Sequence, residues 1–230
     1  HFNIPFFCPV PYVMTVHDLI LHRFPNDASW GKQMAYRLLM HRGIKRARAV
    51  LTVSTFVAEE LRDMYGRRAT KKMHVTFEGV SPQFTPQSQM IIDEVKKKCD
   101  LLSPYFLYVG NAKEHKNVAF LLEAFAKAAL TDTQLILMSG GEEAKRLTLP
   151  ANARLLQNVP DEDLPALYCG AKAFVTASLY EGFCLPAAEA LACGCPVIAV
   201  KAGPLPEVTG GHALLINPTL DVFSEALRHP

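Results

Sequence analysis

Two Rossmann-like α/β domains, each a parallel sheet flanked by helices, are predicted by three observations. Short β-rich apolar runs alternate with helical patterns along nearly all of the 230 residues, the order produced when crossover helices join parallel strands. Several runs, such as Tyr105–Val109 and Val197–Val200, are apolar without alternation, which implies burial on both faces. The alternation breaks where polar, proline-bearing SPQFTPQSQ runs into the charged cluster IIDEVKKKCD, the composition of a linker.

In chain order the predicted strands are Tyr12–Val16, Val50–Val53, His74–Phe77, Tyr105–Val109, Gln134–Met138, Arg154–Gln157, Ala173–Ala177, Val197–Val200 and Ala213–Ile216. The predicted helices are Gly31–Arg46, Phe56–Tyr65, Val118–Ala129, Leu164–Cys169, Leu185–Cys193 and Leu220–Leu227. In the third of these, Leu121, Leu122, Phe125 and Ala129 share one face at helical spacing, so that helix lies on a sheet. Residues 1–81 are read as the back half of a first doubly wound domain, because about 80 residues are too few for a whole one. Residues 82–103 are read as the linker and 104–230 as a second, nearly complete domain.

Half of the residues are hydrophobic and a fifth are charged, the balance of a chain with a real core. A net charge of +2 gives no field pointing to nucleic acid. The six cysteines form no dense framework, which argues for buried thiols in a reducing, cytoplasmic setting. Cys193 and Cys195 lack a second Cys/His pair at metal spacing, so no zinc site is expected there. No apolar run reaches the ~18 residues a membrane span needs.

Chemistry concentrates between Thr176 and Val200. A strand ends near Ala177, the loop SLYEGF follows, and a helix starts at Leu185–Pro186, where proline suits the first turn. Gly194 closes the helix. The backbone N–H groups of Phe183, Cys184 and Leu185 then lie at the carboxyl end of a parallel strand, a place for a phosphate. Glu189, read as a first-turn carboxylate, suits a ribose diol, as acids do in dinucleotide sites. Glu181 lies ahead of the helix, so the loop aims it separately, at sugar hydroxyls or at positive charge developing on a sugar carbon. Spacing alone equally permits a solvated Glu181 and a surface Glu189.

EGFCLPAAEALACGCPVIA resembles the EX7E region of the family-4 retaining glycosyltransferases, which have the GT-B fold, and the resemblance extends over nearly the whole chain. It implies that Glu181 faces the transferred sugar and Glu189 binds the nucleotide ribose. The family usually has Gly where Cys184 stands, a departure expected to disturb little because this residue acts through its backbone. YVGNAKEHKNVAFLLEAFA is similar to the opening of the family's C-terminal domain. There Gly110 allows a turn and Lys116, more than Lys113, is placed for the diphosphate. Many relatives carry an arginine close after that glycine, whereas this chain has Asn111 and Lys113. Read without the resemblance, either lysine is a solvated residue ahead of a helix. In VMTVHDLILHRFP the resemblance gives His17, beside Asp18 at a strand's end, a place toward the donor sugar; a lone histidine there is otherwise structural.

VLTVSTFVAEEL and HVTFEGVSPQFTP also resemble family segments, with Ser54 read as the cap of its helix. LLQNVPDEDLPALY resembles the base-binding loop, which puts main-chain groups near Val159 on the nucleobase. The basic stretch HRGIKRARA is either a solvated helix face or a contact with anionic lipid, since many relatives work on lipid-linked acceptors at the inner face of a membrane.

The resemblance therefore implies a metal-independent, retaining transfer of a sugar from a nucleoside-diphosphate donor to a glycan or lipid-linked hydroxyl, with no cofactor besides the donor substrate. An epimerase or hydrolase on the same fold, and a non-catalytic nucleotide-sugar-binding protein, are the alternatives. The resemblance also places the front half of the first domain before His1 and a closing helix after Pro230. The 230-residue chain alone is accordingly expected to bind nucleotide weakly and to transfer little.

Overall fold

The computed structural model describes residues 8–25 and 28–230. The chain divides into two compact units, residues 1–79 with Tyr180–Phe183, and residues 80–179 with 184–230. The four residues Tyr180–Phe183, read from sequence as part of the second domain, thus belong to the first unit.

In the first unit β1 (Val13–Val16), β2 (Ala49–Thr52) and β3 (Met73–Val75) form a parallel sheet in the order β1-β2-β3. Between β1 and β2 lie α1 (Ile20–Arg23) and α2 (Trp30–Arg46). The crossover from β2 to β3 is α3 (Thr55–Thr70), whose helical backbone breaks at Gly66, just past the predicted end at Tyr65. Helix α2 buries Tyr36, Met40 and Ile44, spaced at helical intervals, in a core shared with Met14, Val16, Val50, Val57, Leu61 and Tyr180. Each such large apolar side chain contributes roughly 1.5–3 kcal/mol on burial.

The second unit holds α4 (Gln89–Lys98), β4 (Tyr105–Val109), α5 (Val118–Ala128), β5 (Gln134–Met138) and α6 (Glu142–Lys145). It continues with β6 (Ala153–Leu156), α7 (Leu164–Gly170), β7 (Ala173–Thr176), α8 (Leu185–Ala192), β8 (Val197–Val200), α9 (Leu205–Thr209), β9 (Leu214–Ile216) and α10 (Leu220–Arg228). The strands pair in parallel in the order β6-β5-β4-β7-β8-β9. Counted from β4, that is the doubly wound order, with its reversal between β4 and β7. One core cluster, with Leu121, Leu122 and Phe125 of α5 and Phe223 of α10, covers one side of the sheet, and a second, with Leu167, Tyr168, Ala187 and Ala190, covers the other.

Residues 82–103 are not an unstructured linker. Helix α4 occupies ten of them, buries Ile92 and Val95, packs on α7, and is followed by buried Leu101. Ile92 and Val95 of this helix and Cys99 at its C-cap repeat at helical spacing, a signal masked by the surrounding lysines.

Candidate donor site and the loop of Glu181

In open α/β sheets ligands bind outside the carboxyl ends of the strands where the order reverses, here the ends of β4 and β7. Beyond β4, Gly110 has a φ of 151°, and a Cβ there would come within 3.1 Å of the Tyr108 hydroxyl, so glycine suits the turn on both counts. The chain then makes a 3-10 turn over Glu114–Lys116, with Lys113 exposed and Lys116 half-buried. His115, passed over in the sequence, is buried within that turn, and its carbonyl accepts a 2.8 Å hydrogen bond from the N–H of Leu179 beyond β7. This bond fastens together the two loops that frame the reversal.

Helix α8 begins at Leu185 with Pro186 in its first turn, as the sequence predicts, and Gly194 follows its end with a φ of 74°. Two expectations need correction. Glu189 is the fifth helical residue, so it sits beyond the first turn and draws little from the helix dipole, which fades within that turn. Its carboxylate is instead half-buried and accepts a 3.1 Å hydrogen bond from Tyr168 on α7. Burial raises its pKa above the ordinary value; the Tyr168 hydrogen bond opposes that rise and the charge of Asp161 adds to it.

The second correction concerns Cys184. It caps α8 with φ 76° and ψ 61°, left-handed geometry that costs a non-glycine residue roughly 1–2 kcal/mol. The departure from glycine therefore strains the backbone, partly offset by burial of the thiol in the second core cluster. Cys184→Gly is expected to keep the unfolding temperature within about 2 °C, since relief of strain and loss of burial oppose each other. Cys184→Val, β-branched at a positive φ, is expected to destabilise by about 2 kcal/mol in differential scanning calorimetry.

Val159 lies in the loop after β6, partly buried against the same cluster, and Asn158 before it has a φ of 58°. All six cysteines are free thiols; Cys184, Cys193 and Cys195 are buried, and burial pushes the last two up to about 12. Among the described residues no group of three or more His, Cys, Asp and Glu side chains is placed to hold a metal ion.

In the first unit His17 follows β1, and its Nδ1 lies 2.7 Å from Oε1 of Glu78 beyond β3. Asp18, its sequence neighbour, is engaged elsewhere, accepting a 3.0 Å hydrogen bond from the N–H of Ile20 at the start of α1. Glu78 thus holds the ring through Nδ1 and leaves Nε2 for other partners. Glu181, only 7% exposed, belongs to the same unit, and Phe183 lays its ring against Phe77 with centroids 6.3 Å apart. Ser54 caps α3 by accepting from the N–H of Val57 at 3.1 Å, as predicted, and its hydroxyl also donates to the carbonyl of Gly182 at 2.7 Å.

The predicted residues thus fall into two groups. Gly110, Lys113, Lys116, Cys184, Leu185, Glu189 and Val159 lie in the second unit, and His17, Glu181 and Phe183 in the first. Glu78 and Tyr168, which orient His17 and Glu189, carried no local sequence signal, because each meets its partner through the fold, across 61 and 21 residues.

The basic stretch lies largely on α2, where His41, Lys45 and Arg46 are exposed and Gly43 and Ile44 are buried. Trp30, Met34 and Leu38 of the same helix are also exposed. Among the described residues no helix is long and apolar enough to cross a membrane.

Residues 92–228 match the family profile "Glycosyl transferases group 1", and residues 1–84 match "Glycosyltransferase Family 4". The O-antigen chain mannosyltransferase B of Escherichia coli is 32% identical over 219 residues, which cover 90% of this chain and 57% of that protein. Sucrose-phosphate synthase from Thermosynechococcus elongatus superposes with a TM-score of 0.76 at 23% identity, covering 94% of this chain and 57% of the other. Anabaena Alr3699/HepE in complex with UDP and glucose gives a TM-score of 0.75 at 19% identity, covering 95% of this chain and 62% of the other. The chain thus spans a little over half the length of these relatives. The superpositions give its architecture as the GT-B fold.

Proposed function

The chain belongs to the glycosyl transferases group 1 family, and from that premise we propose that the protein containing it moves a sugar from a nucleoside diphosphate to an acceptor hydroxyl, with retention of configuration, in glycan synthesis. The observation that carries the donor reading is the half-buried Glu189, held by Tyr168 beside the reversal of a doubly wound sheet, with the basic Lys113–Lys116 turn on the neighbouring loop. A ribose diol is the natural donor pair for a carboxylate so placed. Lys116, with Lys113, and the N–H groups of Phe183, Cys184 and Leu185 would meet the diphosphate. Main chain near Val159 would meet the base, and Glu181 and His17 the sugar. These groups supply the charge stabilisation that departure of a diphosphate from an oxocarbenium-like sugar requires, without an obligatory metal. The E. coli relative is by its name an O-antigen mannosyltransferase and the Anabaena structure holds UDP and glucose, which supports a nucleotide-sugar donor and a glycan or lipid-linked acceptor. The exposed Trp30, Met34 and Leu38 beside Lys45 and Arg46 on α2 support peripheral contact with the inner face of a membrane.

Calorimetric titration of the full-length protein with UDP, GDP, ADP and their sugars tests the donor reading. One base is expected to bind at micromolar concentration, and Glu189→Gln to weaken it about tenfold, because a neutral acceptor replaces a charged one. Stability moves the other way. Burial raises the folded-state pKa of Glu189 above its ordinary 4.5, so the native state holds the proton more tightly than the unfolded chain. That contribution is full below the ordinary value and is lost as pH rises through the folded-state pKa. At pH 7 the ionised carboxylate is a cost, and Glu189→Gln is expected to raise the unfolding temperature of the nucleotide-free protein. Unchanged nucleotide affinity in this variant would remove Glu189 from the site.

A further inference from the structure

A buried carboxylate is tolerated only when its oxygens are fully engaged, and the first unit contains one that the proposed chemistry does not use. Glu60 of α3 is 5% exposed. Its Oε1 accepts a 2.7 Å hydrogen bond from Nε of the Arg23 guanidinium, whose Nη2 makes an ion-pair contact with the same oxygen at 2.5 Å. Its Oε2 accepts from the Tyr180 hydroxyl at 2.5 Å. That hydroxyl accepts in turn from the N–H of Leu19, at the start of α1, at 3.1 Å. Burial, then the hydrogen bond to Glu60, push the phenol's pKa up, so it remains a donor. Its ring is packed between Phe24 and Phe56, with centroids at 6.3 and 5.6 Å.

The placement of this network is what gives it meaning. Tyr180 immediately precedes Glu181, and Gly182, immediately after it, is tied to Ser54 by the 2.7 Å bond already described. Glu181 is thereby pinned on both sides, by α1 and α3 before it and by the cap of α3 after it. A group that must meet developing charge loses its effect when displaced by about an ångström, and loops do not hold such tolerances unaided.

We propose that Tyr180 and Glu60 are positioning residues that hold the backbone of Glu181 in the place from which its carboxylate acts on the transferred sugar. The proposal rests on the reading of Glu181 as a sugar-facing residue. Arg23 serves it by compensating the Glu60 charge, and Ser54 by fixing the far side of the loop.

The test is made on the full-length protein with Tyr180→Phe, which keeps the ring and removes both hydrogen bonds of the hydroxyl. In folded protein kcat is expected to fall on the order of ten- to a hundredfold, with nucleotide Kd within twofold of the starting protein. Glu60→Gln, which keeps the shape of the side chain, is expected to shift the same balance less, and serves where Tyr180→Phe folds poorly. In a Glu181→Gln background the loss from Tyr180→Phe is expected to shrink below threefold, because the two residues act through one group. A kcat within twofold of the starting protein in both single variants would overturn the proposal. So would an equal loss with and without Glu181, which marks a general structural role. Should Glu181→Gln itself turn over normally, the reading of Glu181 fails and the positioning role fails with it.

Discussion

Glu181→Gln in the full-length protein is expected to lower kcat on the order of a hundred- to a thousandfold while leaving nucleotide affinity within about threefold. The split follows from where the residue lies. Glu181 belongs with His17 to the first unit, whereas the groups proposed to hold the nucleotide, Lys116 and Glu189 among them, belong to the second, Phe183 excepted. An interaction made mainly as positive charge develops on the sugar contributes to the transition state and little to ground-state binding. The amide keeps the size of the 7% exposed side chain, so lost packing does not confuse the result. Steady-state rates with saturating donor, set beside calorimetric nucleotide affinity, measure the split. A variant that loses affinity and rate in equal proportion would instead place Glu181 on the nucleotide.

The fold was legible because its signals are local. All nine predicted strands are present and three match residue for residue, since a parallel strand buried on both faces is an unbroken apolar run that ends where its turn begins. The elements missed are short or masked. Helices α1 and α6 have four residues each, too few to show a period, and α9 has five. Helix α4 was hidden because lysines and acids surround its two buried residues.

The candidate site was legible only in part, and the boundary follows the same physics. Glu181 and His17 follow recognisable strands, and Glu189 lies one turn into a helix whose start the sequence marks. The side chains that orient them carry no such mark. Glu78 meets His17, Tyr168 meets Glu189 and Glu60 meets Tyr180 only after folding, and each is an ordinary strand-end, helix or loop residue in the linear sequence. Asp18, the neighbour that sequence proximity offered to His17, is engaged by a backbone N–H. The strain at Cys184 was likewise unreadable, because a left-handed φ follows from how the loop joins α8.

Gly182→Ala is expected to be the most damaging small substitution in the first unit. A Cβ at this position would overlap the carbonyl oxygen of His17, and it would lie 2.9 Å from the carbonyl carbon and 3.2 Å from Cβ of Asp18. Two of these neighbours are backbone atoms just beyond β1, so no rotamer change relieves the clash. Either the loop lifts, breaking the Ser54 bond and the Tyr180 network, or the end of β1 shifts and carries His17 away from Glu78. Both routes displace a proposed sugar-facing group, so rate and stability fall together. The expected cost is about 3 kcal/mol, a drop in unfolding temperature on the order of 6–10 °C, with kcat reduced at least as far as in Glu181→Gln. Gly79→Ala is the matched control, since nothing lies within 4 Å of a Cβ placed there; it is expected to change stability by less than about 0.5 kcal/mol. If thermal unfolding and turnover of Gly182→Ala match those of the control, the loop has room to move, and the close approach of Gly182 to His17 does not hold Glu181 in place.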